Sequence, residues 1–115
     1  MEFGYQISDK PKYTLIQLSG NLMEKSQARE LLEEINNHVV KETPNFVIDF
    51  SEFKYMNSTG LNVLLNILSL ARKSGGEAVI CCVPEKIKTL LVITKLVNVF
   101  SVTENEQAAA ESLSN

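Results

Sequence analysis

The stretch KYMNSTGLNVLLNIL, residues 54–68, places small polar residues directly before a dense apolar run. Asn57 and Ser58 are both favourable N-cap residues, so the stretch predicts a helix that begins here. The first turn of a helix has unpaired N–H groups, and its dipole favours negative charge at that end. The Ser58 hydroxyl is therefore either part of an ordinary helix cap or an acceptor for phosphate, and residue chemistry alone leaves both interpretations open.

The predicted helix is more apolar than packing on a sheet requires. Its apolar side chains span roughly 220°, whereas an arc of about 100° suffices to cover a sheet. The surplus, around Val63, Ile67 and Leu70, must contact either a neighbouring helix or a partner protein. The polar stripe beside this surplus consists of Asn62, Asn66, Ser69 and Lys73.

The segments on either side alternate between strand-like and helix-like patterns. NFVIDF (45–50) and EAVICCV (77–83) are almost continuously apolar, which is typical of buried parallel strands. Residues 3–7 and 13–20 have the character of strands, and their short polar link predicts an antiparallel pair. The other predicted elements are a helix over 26–40 with Ser26 as its N-cap, a helix that starts at Pro84, a short strand within 97–102 and a helix over 104–113.

This order of elements predicts an α/β fold in a single domain over residues 1–115. Strands joined through helices form right-handed parallel crossovers. We therefore expect a mixed, mostly parallel sheet of five strands arranged in chain order, with the first strand antiparallel to the second. Crossovers of one hand place the main helices on one face of that sheet.

Charge and hydropathy exclude several classes of partner. The net charge of −3 argues against nucleic acid or an anionic membrane as the main partner. No apolar run reaches the roughly 18 to 20 residues of a membrane span. The N-terminal residues lack the basic head and apolar core of a signal peptide. Two cysteines without the spacing of a disulfide or metal motif favour a reducing compartment, so we expect a cytoplasmic protein.

The potentially reactive side chains do not form a recognisable catalytic pattern. Cys81 and Cys82 are adjacent in a predicted strand and should point to opposite faces, which predicts reduced, buried thiols. The single histidine, His38, is distant in sequence from Ser58, and neither a G-x-S-x-G elbow nor a phosphate-binding loop is present. We therefore predict a protein that is not an enzyme and has no cofactor or metal site.

The segments VIDFSEFKYMNSTGL (47–61) and LIQLSGNLMEKSQARELLEEI (15–35) resemble the STAS domain, and specifically the single-domain anti-sigma-factor antagonists of bacteria. In that family a strand with an acidic end leads to a D-S-[ST]-G-L motif and an apolar helix. A Gly-Gly turn, a buried strand and a helix that ends near L-T-G-L-x-x-x-F follow. The likeness covers nearly the whole chain.

The resemblance implies a protein-binding switch that regulates sigma-factor-dependent transcription. Such proteins bind an anti-sigma factor that is also an ATP-dependent serine kinase, and they thereby release the sigma factor. The kinase phosphorylates the motif serine, here Ser58, and a metal-dependent serine phosphatase restores binding. The resemblance places Asp49 as a supporting acid and leaves a homodimer open. Together with the surplus apolar arc, it predicts partner contacts at Asn57, Ser58, Thr59, Gly60, Asn62, Val63 and Asn66.

The sequence departs from the family pattern at two positions. Asn57 replaces the motif aspartate, which keeps an N-cap but removes a carboxylate that could assist phosphoryl transfer. Lys95 replaces the glycine of L-T-G-L, so we expect an altered helix end there. The first departure favours an alternative function, a STAS binding module that is not phosphorylated and acts as a scaffold or as a partner of a transporter ATPase.

Overall fold

A computed structural model describes residues 2–41 and 45–113, and the side chains of residues 38–41, including His38, lie outside that description. Five strands form one sheet in chain order, with β1 antiparallel to β2 and the other neighbours parallel. The predicted fold class and strand order are therefore confirmed. The strands are β1 (Gly4–Asp9), β2 (Thr14–Leu22), β3 (Asn45–Met56), β4 (Glu77–Cys81) and β5 (Ser101–Thr103), and the helices are α1 (Arg29–Lys41), α2 (Ser58–Lys73), α3 (Glu85–Ile93) and α4 (Glu106–Leu113).

The two faces of the sheet are covered unequally. Ile16, Ile48 and Ile80 are aligned across β2, β3 and β4 and belong to the larger core cluster, which also contains residues of α1, α2 and α3. Their chain neighbours point to the opposite face, where a smaller cluster contains Ala109 of α4. Three helices thus lie on one face and α4 on the other, as expected for helices mainly on one side. Among the helices described, none has both the length and the apolar character needed to cross a membrane.

The start of the first helix differs from the prediction. A short 3-10 turn, Lys25–Ala28, precedes α1, and Ser26 lies inside this turn rather than at an N-cap. The cap is Glu24, whose side chain accepts a hydrogen bond from the Gln27 backbone. The Gln27 side chain in turn accepts from the Glu24 N–H at 2.9 Å. This reciprocal capping box satisfies two N–H groups, which is more than Ser26 could do alone.

Strand β3 is much longer than its apolar run suggested. The prediction ended this strand at Phe50, but β3 continues to Met56 because it pairs with the second half of β2. Gly20 is paired with Phe53 and Leu22 with Met56, and two register shifts, each with one extra residue in β3, accommodate this extension. The residues predicted to link the strand to the helix are therefore part of β3. Only Asn57 separates the end of β3 from the first residue of α2.

The end of α3 has a left-handed residue. Lys95 has a φ of 64°, a conformation that glycine adopts without strain and that costs an ordinary residue on the order of 1 kcal/mol. The Lys95 N–H donates to the Val92 carbonyl at 3.0 Å, which closes the helix. Lysine therefore takes the backbone conformation that favours glycine, so the substitution is compatible with a left-handed residue at this helix end.

Candidate partner-binding site at the start of helix α2

Helix α2 begins at the ends of two paired strands. The Asn57 N–H donates to the Leu22 carbonyl at 3.4 Å, which extends the contact between β2 and β3 by one residue. Asn57 is the N-cap, and its Oδ1 accepts from the Gly60 N–H at 3.1 Å. Ser58 is the first residue of the helix and its side chain is exposed. The predicted cap is confirmed, and the strand ends hold Ser58 in one position.

Asn57 makes a second hydrogen bond that a carboxylate could not make. Its Nδ2 donates to the Met23 carbonyl at 3.0 Å and so ties the segment after β2 to the start of α2. An aspartate keeps the cap but has no proton to donate, so its second oxygen would face the Met23 carbonyl oxygen. The residue that departs from the family motif is thus adapted to its own surroundings.

Substitutions at Asn57 separate its two hydrogen bonds. We expect Asn57→Ala to lower the free energy of unfolding by about 2 kcal/mol because both the cap and the bond to Met23 are lost. Asn57→Ser retains an N-cap oxygen and should cost about half as much. Urea unfolding of both variants measures the difference. If both variants lose the same free energy of unfolding, the cap contributes nothing. If Asn57→Ser is as stable as the unaltered protein, the bond to Met23 contributes nothing.

The predicted contact residues divide into an exposed and a buried group. Ser58, Asn62 and Asn66 are exposed, whereas Asn57 and Thr59 are half-buried. Val63 is only 1% exposed and belongs to the larger core cluster, so its prediction as a partner contact was wrong. Ile67 is also fully buried, which shows that this part of the surplus apolar arc packs inside the domain.

Gly60 is also buried and does not form part of the partner surface. A Cβ at this position would lie 2.7 Å from the Leu22 carbonyl oxygen and 2.7 Å from the Met56 Cβ. Such contacts are closer than real side chains allow, so only glycine permits α2 to start against the strand ends. Gly60 therefore positions Ser58 and does not bind a partner itself, which corrects the prediction for this residue.

Asp49 does not support the Ser58 site. Asp49 and Met56 are seven positions apart in a continuous strand, a length of about 23 Å. The Asp49 Oδ1 accepts from the Ser51 N–H at 2.8 Å, and the carboxylate lies close to the thiols of Cys81 and Cys82. The assignment of Asp49 as the supporting acid was wrong because the prediction placed the end of β3 too early.

Two exposed apolar side chains flank the cap and were missed by the sequence analysis. Met23 is 41% exposed and follows β2, and Tyr55 is 49% exposed and lies next to Met56 near the end of β3. Simple alternation would not have indicated Tyr55, because Lys54 and Tyr55 are both exposed where the register of β3 shifts. Large exposed apolar side chains beside a helix start favour a protein-binding surface.

A groove of about 630 Å³ between α1 and α2 continues from this surface. Leu32 and Leu70 are half-buried and contribute apolar lining, and Asn66 links the groove to the exposed residues of α2. The charged lining residues are Lys25, Arg29, Lys73 and Glu33. The excess of positive charge stands out on a chain with a net charge of −3.

The groups that the start of α2 presents around Ser58 are those of a binding surface. A nucleophilic serine needs a base within hydrogen-bond reach and a group that orients this base. In the part of the chain that the structure describes, the Asn57 side chain is used for the cap and the bond to Met23, and neither bond reaches the Ser58 hydroxyl. The site presents a hydroxyl, amides and apolar side chains to a partner.

Comparison with known proteins identifies the family. The family model described as the STAS domain matches residues 5–109. This chain belongs to the STAS domain family. BtrV of Bordetella bronchiseptica, whose name includes anti-sigma factor antagonist, is 28% identical over 102 residues, which cover 89% of this chain and 88% of BtrV.

Solved STAS structures share the fold at low sequence identity. An anti-sigma factor antagonist from Mycobacterium paratuberculosis is 20% identical and has a TM-score of 0.80, with 99% of this chain and 96% of that chain covered. SpoIIAA has been solved in an unphosphorylated form with a TM-score of 0.76 and in a phosphorylated form, from Bacillus, with a TM-score of 0.72. Both structures are 14% identical to this chain, and both alignments cover 95% of it. They cover 96% of the unphosphorylated SpoIIAA chain and 99% of the phosphorylated one. The resemblance expected from the motif is confirmed.

Proposed function

We propose that this STAS protein is an anti-sigma factor antagonist whose binding is controlled at Ser58. It binds a cytoplasmic anti-sigma factor that is also a serine kinase, and phosphorylation of Ser58 by that kinase ends the binding. A metal-dependent serine phosphatase restores the active form. The observation that supports this most directly is the exposed Ser58 at the first position of α2, held by an N-cap and by two paired strand ends.

The position of Ser58 suits a phosphate group. The N–H groups of the first turn have no partners within the helix, and the helix dipole favours negative charge there. A phosphate would add about −1.5 to −2 charges at neutral pH without displacing a core side chain. It would therefore change how the surface binds while leaving the fold intact. The phosphorylated form of SpoIIAA shows that a STAS protein with this fold can carry the modification.

The partner surface that we propose consists of Ser58, Asn62 and Asn66 with Met23 and Tyr55. These side chains are exposed: the three polar ones lie on α2, Met23 follows β2, and Tyr55 lies one residue before the end of β3. The two large apolar side chains supply contact area, and the polar ones supply hydrogen bonds. A phosphate in the middle of such a surface would have to be desolvated on binding, which explains how one modification could end the interaction.

Phosphorylation is tested with the purified protein, ATP and the serine-kinase anti-sigma factors encoded in the same genome. We expect phosphate incorporation by mass spectrometry, with complete loss in Ser58→Ala because the acceptor hydroxyl is removed. Thr59→Ala is the matched control, since it removes the neighbouring hydroxyl and should retain most of the labelling. Labelling that survives in Ser58→Ala but disappears in Thr59→Ala would contradict the assignment of Ser58.

The alternative function, a STAS binding module without phosphoregulation, is favoured by one observation. The bond from Asn57 to Met23 shows an asparagine adapted to its site in place of the carboxylate of the family motif. If that carboxylate assists phosphoryl transfer, Asn57→Asp should accelerate labelling. Phosphate transfer to Asn57→Asp alone, and none to the unaltered protein, would favour the alternative. Homodimer formation remains a prediction and is measured by light scattering.

A further inference from the structure

Two adjacent cysteines lie at the end of β4 in an arrangement that the sequence did not predict. Cys81 is the last residue of the strand, and Cys82 has a left-handed backbone with a φ of 59°. This turn breaks the alternation of the strand and brings the two Sγ atoms to 3.5 Å from each other. The thiols therefore face the same side of the chain, whereas the prediction placed them on opposite faces.

Asp49 completes a cluster of three donor groups. It is paired with Cys81 in the register of β3 and β4, and its carboxylate is held by the Ser51 N–H. One carboxylate oxygen and the two sulfurs all lie within 4.8 Å of one another. Asp49 and Cys81 are buried, and Cys82 is half-buried.

We propose that Asp49, Cys81 and Cys82 form a binding site for a thiophilic divalent cation of the Zn²⁺ class. Sulfur ligands bind Zn²⁺ at about 2.3 Å and carboxylate oxygens at about 2.0 to 2.2 Å, so two sulfurs in a tetrahedral site lie about 3.8 Å apart. The separation of 3.5 Å between the thiols is close to that value. Cys82 is half-buried rather than fully enclosed, and a water molecule would supply the fourth ligand of a tetrahedral site.

The backbone around Cys82 supports this assignment. A left-handed conformation in a non-glycine residue costs free energy and is often retained where it serves a site. Here it turns the second thiol toward the first, and the Cys82 N–H donates to the Glu104 carbonyl at 3.3 Å. The site is therefore held by β3, β4 and the segment before α4.

The charges that face the thiols determine how binding depends on pH. Burial is the main cause that raises the pKa of both thiols, and the carboxylate of Asp49 raises both further. The Glu106 carboxylate, which accepts from the Tyr13 hydroxyl at 2.6 Å, also raises the pKa of Cys81. The hydrogen bond to Glu106 raises the pKa of Tyr13 to about 12, so this hydroxyl remains protonated. Thiols bind metal ions as thiolates, so an incoming cation displaces a proton from each of the two.

The test consists of two titrations of the reduced protein. Cd²⁺ binding is measured by the thiolate-to-metal charge-transfer absorption. Zn²⁺ binding is measured by competition with a chromophoric chelator. We expect one ion per chain and an affinity that rises about 100-fold per pH unit near neutrality, because two protons are released. Cys82→Ser should weaken binding at least tenfold and reduce the slope to about tenfold per pH unit. Asp49→Asn, which can still accept from the Ser51 N–H, should weaken binding but retain the two-proton slope.

Glu52→Gln is the matched control, since it removes an exposed carboxylate three positions further along the same strand and should leave cation binding unchanged. Protection of both thiols from alkylation by Zn²⁺ gives a second measurement on the unaltered protein, which does not depend on whether a variant folds. Absence of stoichiometric binding, absence of thiol protection, or equal affinity in the unaltered protein and in Cys82→Ser would overturn the proposal.

Discussion

Val63→Asp is expected to unfold the protein or to lower its free energy of unfolding by about 5 kcal/mol. Val63 is 1% exposed, and the structure gives no positively charged partner for a carboxylate among the core residues around it. Burial of an unpaired charge is among the most destabilising single changes, and domains of this size have only about 5 to 15 kcal/mol of stability. Circular dichroism during urea unfolding measures the loss.

Asn62→Asp is the matched control for this substitution. It introduces the same carboxylate one residue earlier in α2, where the side chain is exposed, and should change stability by no more than about 0.5 kcal/mol. A folded Val63→Asp protein with nearly unchanged stability would contradict the burial of this residue. Loss of partner binding in Val63→Asp would report unfolding, so the partner surface has to be probed through Asn62, Asn66, Met23 and Tyr55 instead.

Gly60→Ala is expected to destabilise the protein by about 2 kcal/mol, although alanine is the better helix former. The added Cβ would lie 2.7 Å from the backbone oxygen of Leu22, which cannot move without shifting the end of β2. The clash should outweigh the gain in helix propensity, which is about 1 kcal/mol. Because the start of α2 must move away from the strands, we also expect slower phosphorylation of Ser58 in the kinase assay.

Ser69→Ala separates helix propensity from the clash at Gly60. Ser69 is exposed in the same helix, so its replacement should stabilise the protein by a few tenths of a kcal/mol. Changes of opposite sign in the free energy of unfolding for the two alanine substitutions would confirm that glycine is required at position 60 by its close approach to the end of β2. Helix propensity would not explain that result. A stabilised Gly60→Ala protein would show that α2 can start further from the strand ends than the structure indicates.

Local patterns were sufficient to predict the class of fold and the position of Ser58. Alternation and continuous apolar runs indicated the five strands, and the small polar residues before an apolar run indicated where α2 begins. These features depend on residues that are close in the chain. The same locality explains why the Asn57 cap was predictable, whereas its bond to Met23, 34 residues away, was not.

The amino-acid sequence by itself determined the α/β class, the order of the strands and the helix start that exposes Ser58, because each follows from short-range periodicity and capping. Only the tertiary structure decided that Val63 is core, since an apolar side of a helix can be covered by its own domain or by a partner. Pairing of β3 with β2 lengthened β3 and moved Asp49 away from Ser58. The backbone turn at Cys82 then brought two thiols to that carboxylate, because the strand ended two residues earlier than its apolar run.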